Sequence, residues 1–197
     1  MRTATSPASV SVRESLAAHR PPDSLSSSKL NLDERLLRIA RTRGHTPRAE
    51  RAVARFSRVG EHGAAWLAIG ALGGALDRER RAEWGRAAAT VAGVFVLNTA
   101  IKLVVRRRRP QLPGLPALTG TPTTLSFPSA HASTSFAGAR LYAQLGLPSG
   151  PLYSLAMALS LSRLYLGVHY PSYVLAGAGW GPVVGAVGTT RGTARSV

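Results

Sequence analysis

Two histidines and three isolated cations are the residues of this chain whose type and placement can do chemistry. Lys102 falls within the run 87–105, whose only other strongly polar member is Asn98. A lysine in an apolar span is costly unless it meets an anion. Arg109 follows seven residues later, almost two helical turns, which puts both cations on one face before Pro110 ends the helix. Arg106, Arg107 and Arg108 read as a basic anchor at a helix C-terminus, but that account does not cover Lys102. Ser126-Phe127-Pro128-Ser129-Ala130-His131 leads into a helix, so Ser129 and the first free backbone N–H groups can cradle an anion beside His131. A histidine alone in that position is more often bonded to a neighbouring carbonyl. The third cation, Arg163, lies in an apolar run where hardly any carboxylate is available as an ion-pair partner, which makes a bound phosphate the better partner. Six residues is not a same-face helical interval, so His169 is expected past the helix end, after Gly167, with Pro171 opening the next helix. Imidazoles beside an anion held by three cations can attack it and move protons, and the chain has no cysteine to supply a thiolate.

The elements that must position these groups are helices. Asn31 and Glu34 have the spacing of a capping box, and Leu32, Leu36 and Ile39 share a face until Gly44. Thr46 precedes Pro47, after which Ala49, Val53 and Phe56 form a stripe against Arg48, Arg51, Arg55 and Arg58. Both helices read as interfacial; as isolated segments, soluble amphipathic helices packed on a core would fit as well. The uncharged stretch 63–76 is short for a span, and reaches bilayer length only if Arg58 to Asp77 is one helix. Residues 87–105, 131–146, 151–168 and 171–188 complete an all-α, integral membrane bundle of about five to six helices. Gly177, Gly181 and Gly185 recur every fourth residue, a spacing for close helix packing. The chain therefore divides into a disordered tail over 1–30, amphipathic helices over 31–58, a membrane-embedded domain over 59–188 and a C-terminal tail over 189–197.

Charge agrees with that division. Lys and Arg total 25 against 9 Asp and Glu, a net charge of +16, with 45% hydrophobic residues and 20 Gly. A mean hydropathy near zero averages a polar first third with an apolar remainder. The excess is almost all Arg, which favours phosphate groups. The basic residues are not interleaved with aromatics into a stacking surface, which argues against nucleic acid. The first 30 residues lack a signal-peptide core, and the basic N-terminal third predicts a cytoplasmic N-terminus. Counting spans from there puts the site on the cytoplasmic side of a multi-pass cell-membrane protein.

Lys-x6-Arg-Pro, Pro-Ser-x-His and Ser-Arg-x5-His, in this order, resemble the type 2 phosphatidic acid phosphatase family. The resemblance covers residues 58–188. The stretches Ser57 to His62 and Leu125 to His131 are similar to its actinobacterial decaprenylphosphoryl-phosphoribose phosphatase branch. It implies metal-independent dephosphorylation of a lipid-linked phosphate, polyprenyl or glycerolipid, with no cofactor. Lys102, Arg109 and Arg163 would hold the phosphate, Ser129 and the Ala130 backbone would add donors, His131 would be the acid, and His169 would attack phosphorus. Three fixed cations can compensate charge on the equatorial oxygens without a metal.

Two positions depart from the family. Ala130 replaces a usual glycine, which leaves the backbone donor in place. Tyr173 stands where the family has an Asp that accepts the second imidazole N–H of the nucleophile; a phenol can orient the ring but brings no charge. By analogy with a protease triad lacking its Asp, the loss approaches roughly 10⁴-fold if nothing compensates. Glu61 is a candidate substitute. Tyr173 also motivates a second reading, a catalytically weakened phospholipid-binding or scaffold protein. A vanadate-dependent haloperoxidase, with a similar pocket, fits the short chain and apolar spans less well.

Overall fold

The structure is a computed structural model and describes residues 31–193, with side chains through 186. The expected tail over 1–30 lies outside the described residues. The described residues form seven α-helices: α1 (Leu32–Thr42), α2 (Pro47–Val59), α3 (Ala64–Leu76), α4 (Arg81–Val105), α5 (Ala130–Gln144), α6 (Ser149–Tyr165) and α7 (Pro171–Thr193). The all-α expectation holds among the described residues, whose strand-like pairing is limited to two isolated bridges, Arg108 with Leu125 and Leu112 with Leu115.

The N-terminal helices start where their caps dictate. The Asn31 side chain accepts from the Glu34 N–H at 2.9 Å, and Thr46 Oγ1 accepts from the Ala49 N–H at 3.1 Å with Pro47 in the first turn. The stretch from Arg58 to Asp77 is not one helix. α2 ends at Val59, a 3₁₀ turn covers Glu61–Gly63, and His62 and Gly63 take φ of 55° and 76° before α3 begins. A backbone in the left-handed region cannot propagate an α-helix. α3 is thus 13 residues long, about 20 Å, well short of a hydrocarbon core of about 30 Å.

Among the described residues only α4, 25 residues long, is long and apolar enough to cross a membrane by itself. α5 is the hub, packed by α7, α6 and α4. The stretch read as a helix over 131–146 is α5, in which Ala132, Ser133, Thr134, Ser135, Ala137 and Ala139 are all buried, so this helix is enclosed by protein. Its serines explain why. Ser133 Oγ donates to the Ser129 carbonyl and to Asn98 Oδ1, each at 2.9 Å, and Ser135 Oγ accepts from the Trp66 indole at 3.0 Å.

The glycine spacing in α7 serves this contact. A Cβ at Gly177 would sit 2.5 Å from the Ser129 carbonyl oxygen, and one at Gly181 would strike the backbone of Ser133. Only glycine lets α7 lie this close to the start of α5. Large apolar side chains remain on the outside of the bundle: Leu72 and Leu76 on α3, Val96, Leu103 and Val104 on α4, Leu161 on α6, and Leu175 and Val183 on α7.

Candidate active site

The site is built at one end of the bundle from the C-terminus of α4, the 106–129 segment, the start of α5, and the α6–α7 turn. α4 stops at Val105 because Arg106 adopts φ 53°, so Lys102 lies in the last helical turn and Arg109 lies beyond the helix. The same-face helical argument for this pair is therefore incorrect. The two meet because the segment after α4 folds back: the Arg109 N–H donates to the Thr124 carbonyl at 3.1 Å and the Ser126 N–H to the Arg107 carbonyl at 2.9 Å. Arg109 Nε then donates to Thr123 O at 2.8 Å and Nη1 to Val168 O at 3.0 Å, which ties the segment to the turn carrying His169.

Ser129 is the N-cap of α5, its side chain accepting from the Ala132 N–H. By helix geometry the Ala130 and His131 N–H groups have no intrahelical acceptor. The segment entering α5, with a cis Phe127–Pro128 peptide, is held from two sides. Asn98 Nδ2 donates to Pro128 O at 3.3 Å, and the Ser129 N–H donates to Tyr173 O at 3.0 Å.

α6 ends at Tyr165, and Gly167 takes φ 73°, which turns the chain so that His169 faces the pocket before Pro171 starts α7. This matches the break expected from the six-residue spacing. His169 and Arg163 are buried, as is His131. Arg163 Nη1 donates to Ser57 Oγ at 2.6 Å, whereas its buried Nε has no partner. The ion pairs among the described residues are His45–Glu50 and Arg80–Asp77, so no carboxylate is paired with Lys102, Arg109 or Arg163. These cations act electrostatically on one another and on both imidazoles. Burial, reinforced by Arg163, Arg109 and Lys102, holds His169 well below the usual imidazole range, so its ring is neutral. Burial lowers Arg109 to about 10, which leaves it cationic at neutral pH. The structure thus brings Lys102, Arg109 and Arg163 within electrostatic reach of one another and of His131 and His169, with Ser129 and Ala130 adjoining His131 at the start of α5.

Tyr173 and Glu61 do not take the parts considered for them. The Tyr173 ring packs edge-on against Phe127 and Tyr170, both at 5.2 Å, with Arg107 beside its hydroxyl, so it does not orient His169. Arg107 also lies 5.1 Å from the Phe127 ring centroid, a local role beyond a basic anchor. Glu61 acts on Arg163 through its charge and makes no bond to His169.

Three contributors were not assigned a role from sequence. Ser57, on α2, accepts from Arg163 and from Ser162 Oγ at 3.0 Å, and its carbonyl lies 3.0 Å from His131 Nε2. Nothing in the Arg-rich pattern of α2 marks it. Asn98 was visible as a polar residue in an apolar span. Ser126, inside the motif stretch, places its Oγ 3.3 Å from His169 Nδ1.

The chain is 45% identical over 126 residues to a decaprenylphosphoryl-5-phosphoribose phosphatase of Mycolicibacterium smegmatis, covering 62% of this chain and 67% of that protein. It is 41% identical over 141 residues to the protein of the same name from Mycobacterium tuberculosis, covering 71% and 78%. Aquifex aeolicus LpxE has a similar fold, with a TM-score of 0.66 at 22% identity over 79% of this chain and 93% of that one. So does the first transmembrane PAP2 type phosphatidylglycerolphosphate phosphatase from Bacillus subtilis, with a TM-score of 0.63 at 22% identity over 83% and 86%. The PAP2 superfamily pattern matches residues 83–195, the stretch that carries all three motifs, and the chain belongs to that superfamily.

Proposed function

We propose that this protein is a membrane phosphatase that removes phosphate from a lipid-linked substrate through a phosphohistidine on His169. Dephosphorylation of a lipid-linked phosphate follows from the family and from the curated relatives; the covalent mechanism is the finer reading. The observation that carries it is the convergence of Lys102, Arg109 and Arg163, none of them ion-paired with a carboxylate among the described residues, on two buried imidazoles. Such a pocket suits a phosphoryl group, whose transfer depends on alignment and on cancelling charge at the equatorial oxygens. Neutral His169 attacks phosphorus in line and the ester oxygen leaves. A carbonyl oxygen only accepts, so His131 Nε2 carries a hydrogen toward Ser57 O. His131 Nδ1, which is then unprotonated in the neutral ring, would take the proton of a monoanionic substrate phosphate, pass it to the leaving ester oxygen, and later take a proton from the water that releases phosphate.

The names of the 41–45% identical relatives favour a polyprenyl-linked phosphosugar as substrate. The apolar outer surfaces of α3, α4, α6 and α7 support a multi-pass arrangement for the part over 59–188, with α1 and α2 along the interface. Arg-rich α2 reaches the site through Ser57, so the site shares its side of the membrane, which by the positive-inside rule is cytoplasmic.

Purified protein in detergent with a chelator should release phosphate from a prenyl phosphate, and His169→Ala should abolish release; activity that needs metal and survives that change would refute the mechanism. The absence of a carboxylate at Tyr173 favours a second reading, a weakened lipid-phosphate-binding protein. Wild-type turnover near zero that rises strongly in Tyr173→Asp would mark a damaged enzyme, and strong wild-type turnover would remove the binding-protein reading.

A further inference from the structure

His169 lies among cations, and Tyr173, four residues on, points toward Phe127 and Arg107 instead of the imidazole. The other acidic groups near this end of the bundle are engaged. Asp33 on α1 accepts from the Ser172 N–H at 2.9 Å and from its hydroxyl, capping α7. Glu61 acts on Arg163. The group that does meet the imidazole is the fully buried Ser126 hydroxyl, 3.3 Å from Nδ1 and 3.5 Å from the Val168 carbonyl oxygen.

We infer that Ser126 is the positioning residue of His169, holding the ring in the tautomer with hydrogen on Nδ1 so that Nε2 presents its lone pair to phosphorus. Ser126 Oγ has one hydrogen and two acceptors within reach, Nδ1 and Val168 O, and that hydrogen is assigned to the carbonyl, which has no other way to bond it. Val168 O can only accept, and it accepts from Arg109 Nη1 at 3.0 Å and from the Ser126 hydroxyl. With its hydrogen committed there, Ser126 Oγ turns a lone pair toward Nδ1, which must carry a proton to bond it. The chain runs from imidazole N–H to hydroxyl to carbonyl, with a guanidinium fixing the far end. Ser126 itself is fixed by its N–H bond to Arg107 O and by the adjoining bridge between Arg108 and Leu125. A neutral hydroxyl fixes the tautomer as a carboxylate would, but adds no charge to stabilise the phosphoimidazole.

This inference rests on the proposed role of His169, and a measurement independent of turnover separates the two. ¹⁵N-histidine NMR of the full protein in detergent, with His169 assigned by the signal lost in His169→Ala, should show the Nδ1–H tautomer in wild type and in Ser126→Thr. In Ser126→Ala the signal should move toward the Nε2–H or a mixed form. A wild-type ring protonated on Nε2, or a tautomer unchanged by Ser126→Ala, would overturn the assignment whatever the enzyme turns over. In kinetics, loss of one such hydrogen bond should lower kcat about tenfold at unchanged KM, with Ser126→Thr restoring it. Full kcat in Ser126→Ala alongside an inactive His169→Ala would sink the inference and leave the phosphohistidine standing. Phosphate release by His169→Ala would remove the phosphohistidine while the NMR result still decides what Ser126 does.

Discussion

Ser57→Ala is the most informative perturbation outside the family motifs, because one buried hydroxyl on α2 supports two groups of the site. Its Oγ accepts from Arg163 Nη1 at 2.6 Å and from Ser162 Oγ at 3.0 Å. Ser162 retains its bond to the Leu159 carbonyl at 2.6 Å, so the group left without a partner is the guanidinium. A hydrogen bond to a charged donor contributes about 1.5–3 kcal/mol. At about 1.4 kcal/mol per decade, this converts to a loss of roughly ten- to a hundredfold in kcat/KM if Arg163 must be held in place to meet the phosphate. The contact to His131 comes from the Ser57 main chain and survives the substitution, so proton transfer should be intact. The assay is phosphate release from a prenyl phosphate in detergent micelles, with thermal unfolding as the control for folding. Ser57→Thr, which keeps the hydroxyl, should stay close to wild type. A folded Ser57→Ala within about twofold of wild-type kcat/KM would refute the view that α2 helps to build the site.

The remaining predictions concern packing, the loop and pH. Gly181→Ala should lower stability by about 1–3 kcal/mol, because its Cβ strikes the backbone of Ser133. Gly179→Ala, with open space around it, should be neutral or slightly stabilising; equal shifts in melting temperature would contradict the packing account. Arg41→Ala removes bonds to Pro116 O at 2.7 Å and Tyr165 O at 3.3 Å, beside the turn that carries His169. It should cost about 2 kcal/mol or more in unfolding free energy, and an unchanged unfolding curve would exclude this brace. Tyr173→Phe should keep kcat within about twofold, since the hydroxyl lies by Arg107 rather than His169; a tenfold loss would restore a direct role. A base whose pKa is depressed stays neutral to lower pH, so kcat/KM should not halve at the ordinary imidazole value near 6.5. Corrected for the second ionisation of the substrate phosphate, the profile should fall only in more acidic solution; an acid limb centred near 6.5 and lost in His169→Ala would contradict the buried, neutral nucleophile.

The chemistry was legible where a residue contradicted its surroundings. Lys102 and Arg163 in apolar runs, and a Ser-x-His start to a helix, each raise a question that a bound anion answers. Helix starts at Asn31, Thr46, Ser129 and Pro171 were readable from caps and prolines. Other features depended on distant contacts. Arg109 leaves the helix because Arg106 turns left-handed, and it reaches Lys102 through pairing with 124–126, which no helical periodicity encodes. That α5 is the enclosed helix of the bundle, with serines bonded to α4 and to its own backbone, likewise depends on its neighbours. Ser57 and Ser126 fall inside the stretches that carry the resemblance, but their roles lie in what folding places beside them, Arg163 and His131 for one and His169 for the other. The absence of an Asp at position 173 was plain in the sequence, but the hydroxyl that faces His169 instead was not.

The most direct test of the central claim is to quench a single turnover with ³²P-labelled prenyl phosphate and map the label. We expect an acid-labile, alkali-stable phosphoryl group on the peptide containing His169, absent from His169→Ala. Rapid single turnover with no labelled histidine, or a label on any other residue, would contradict it.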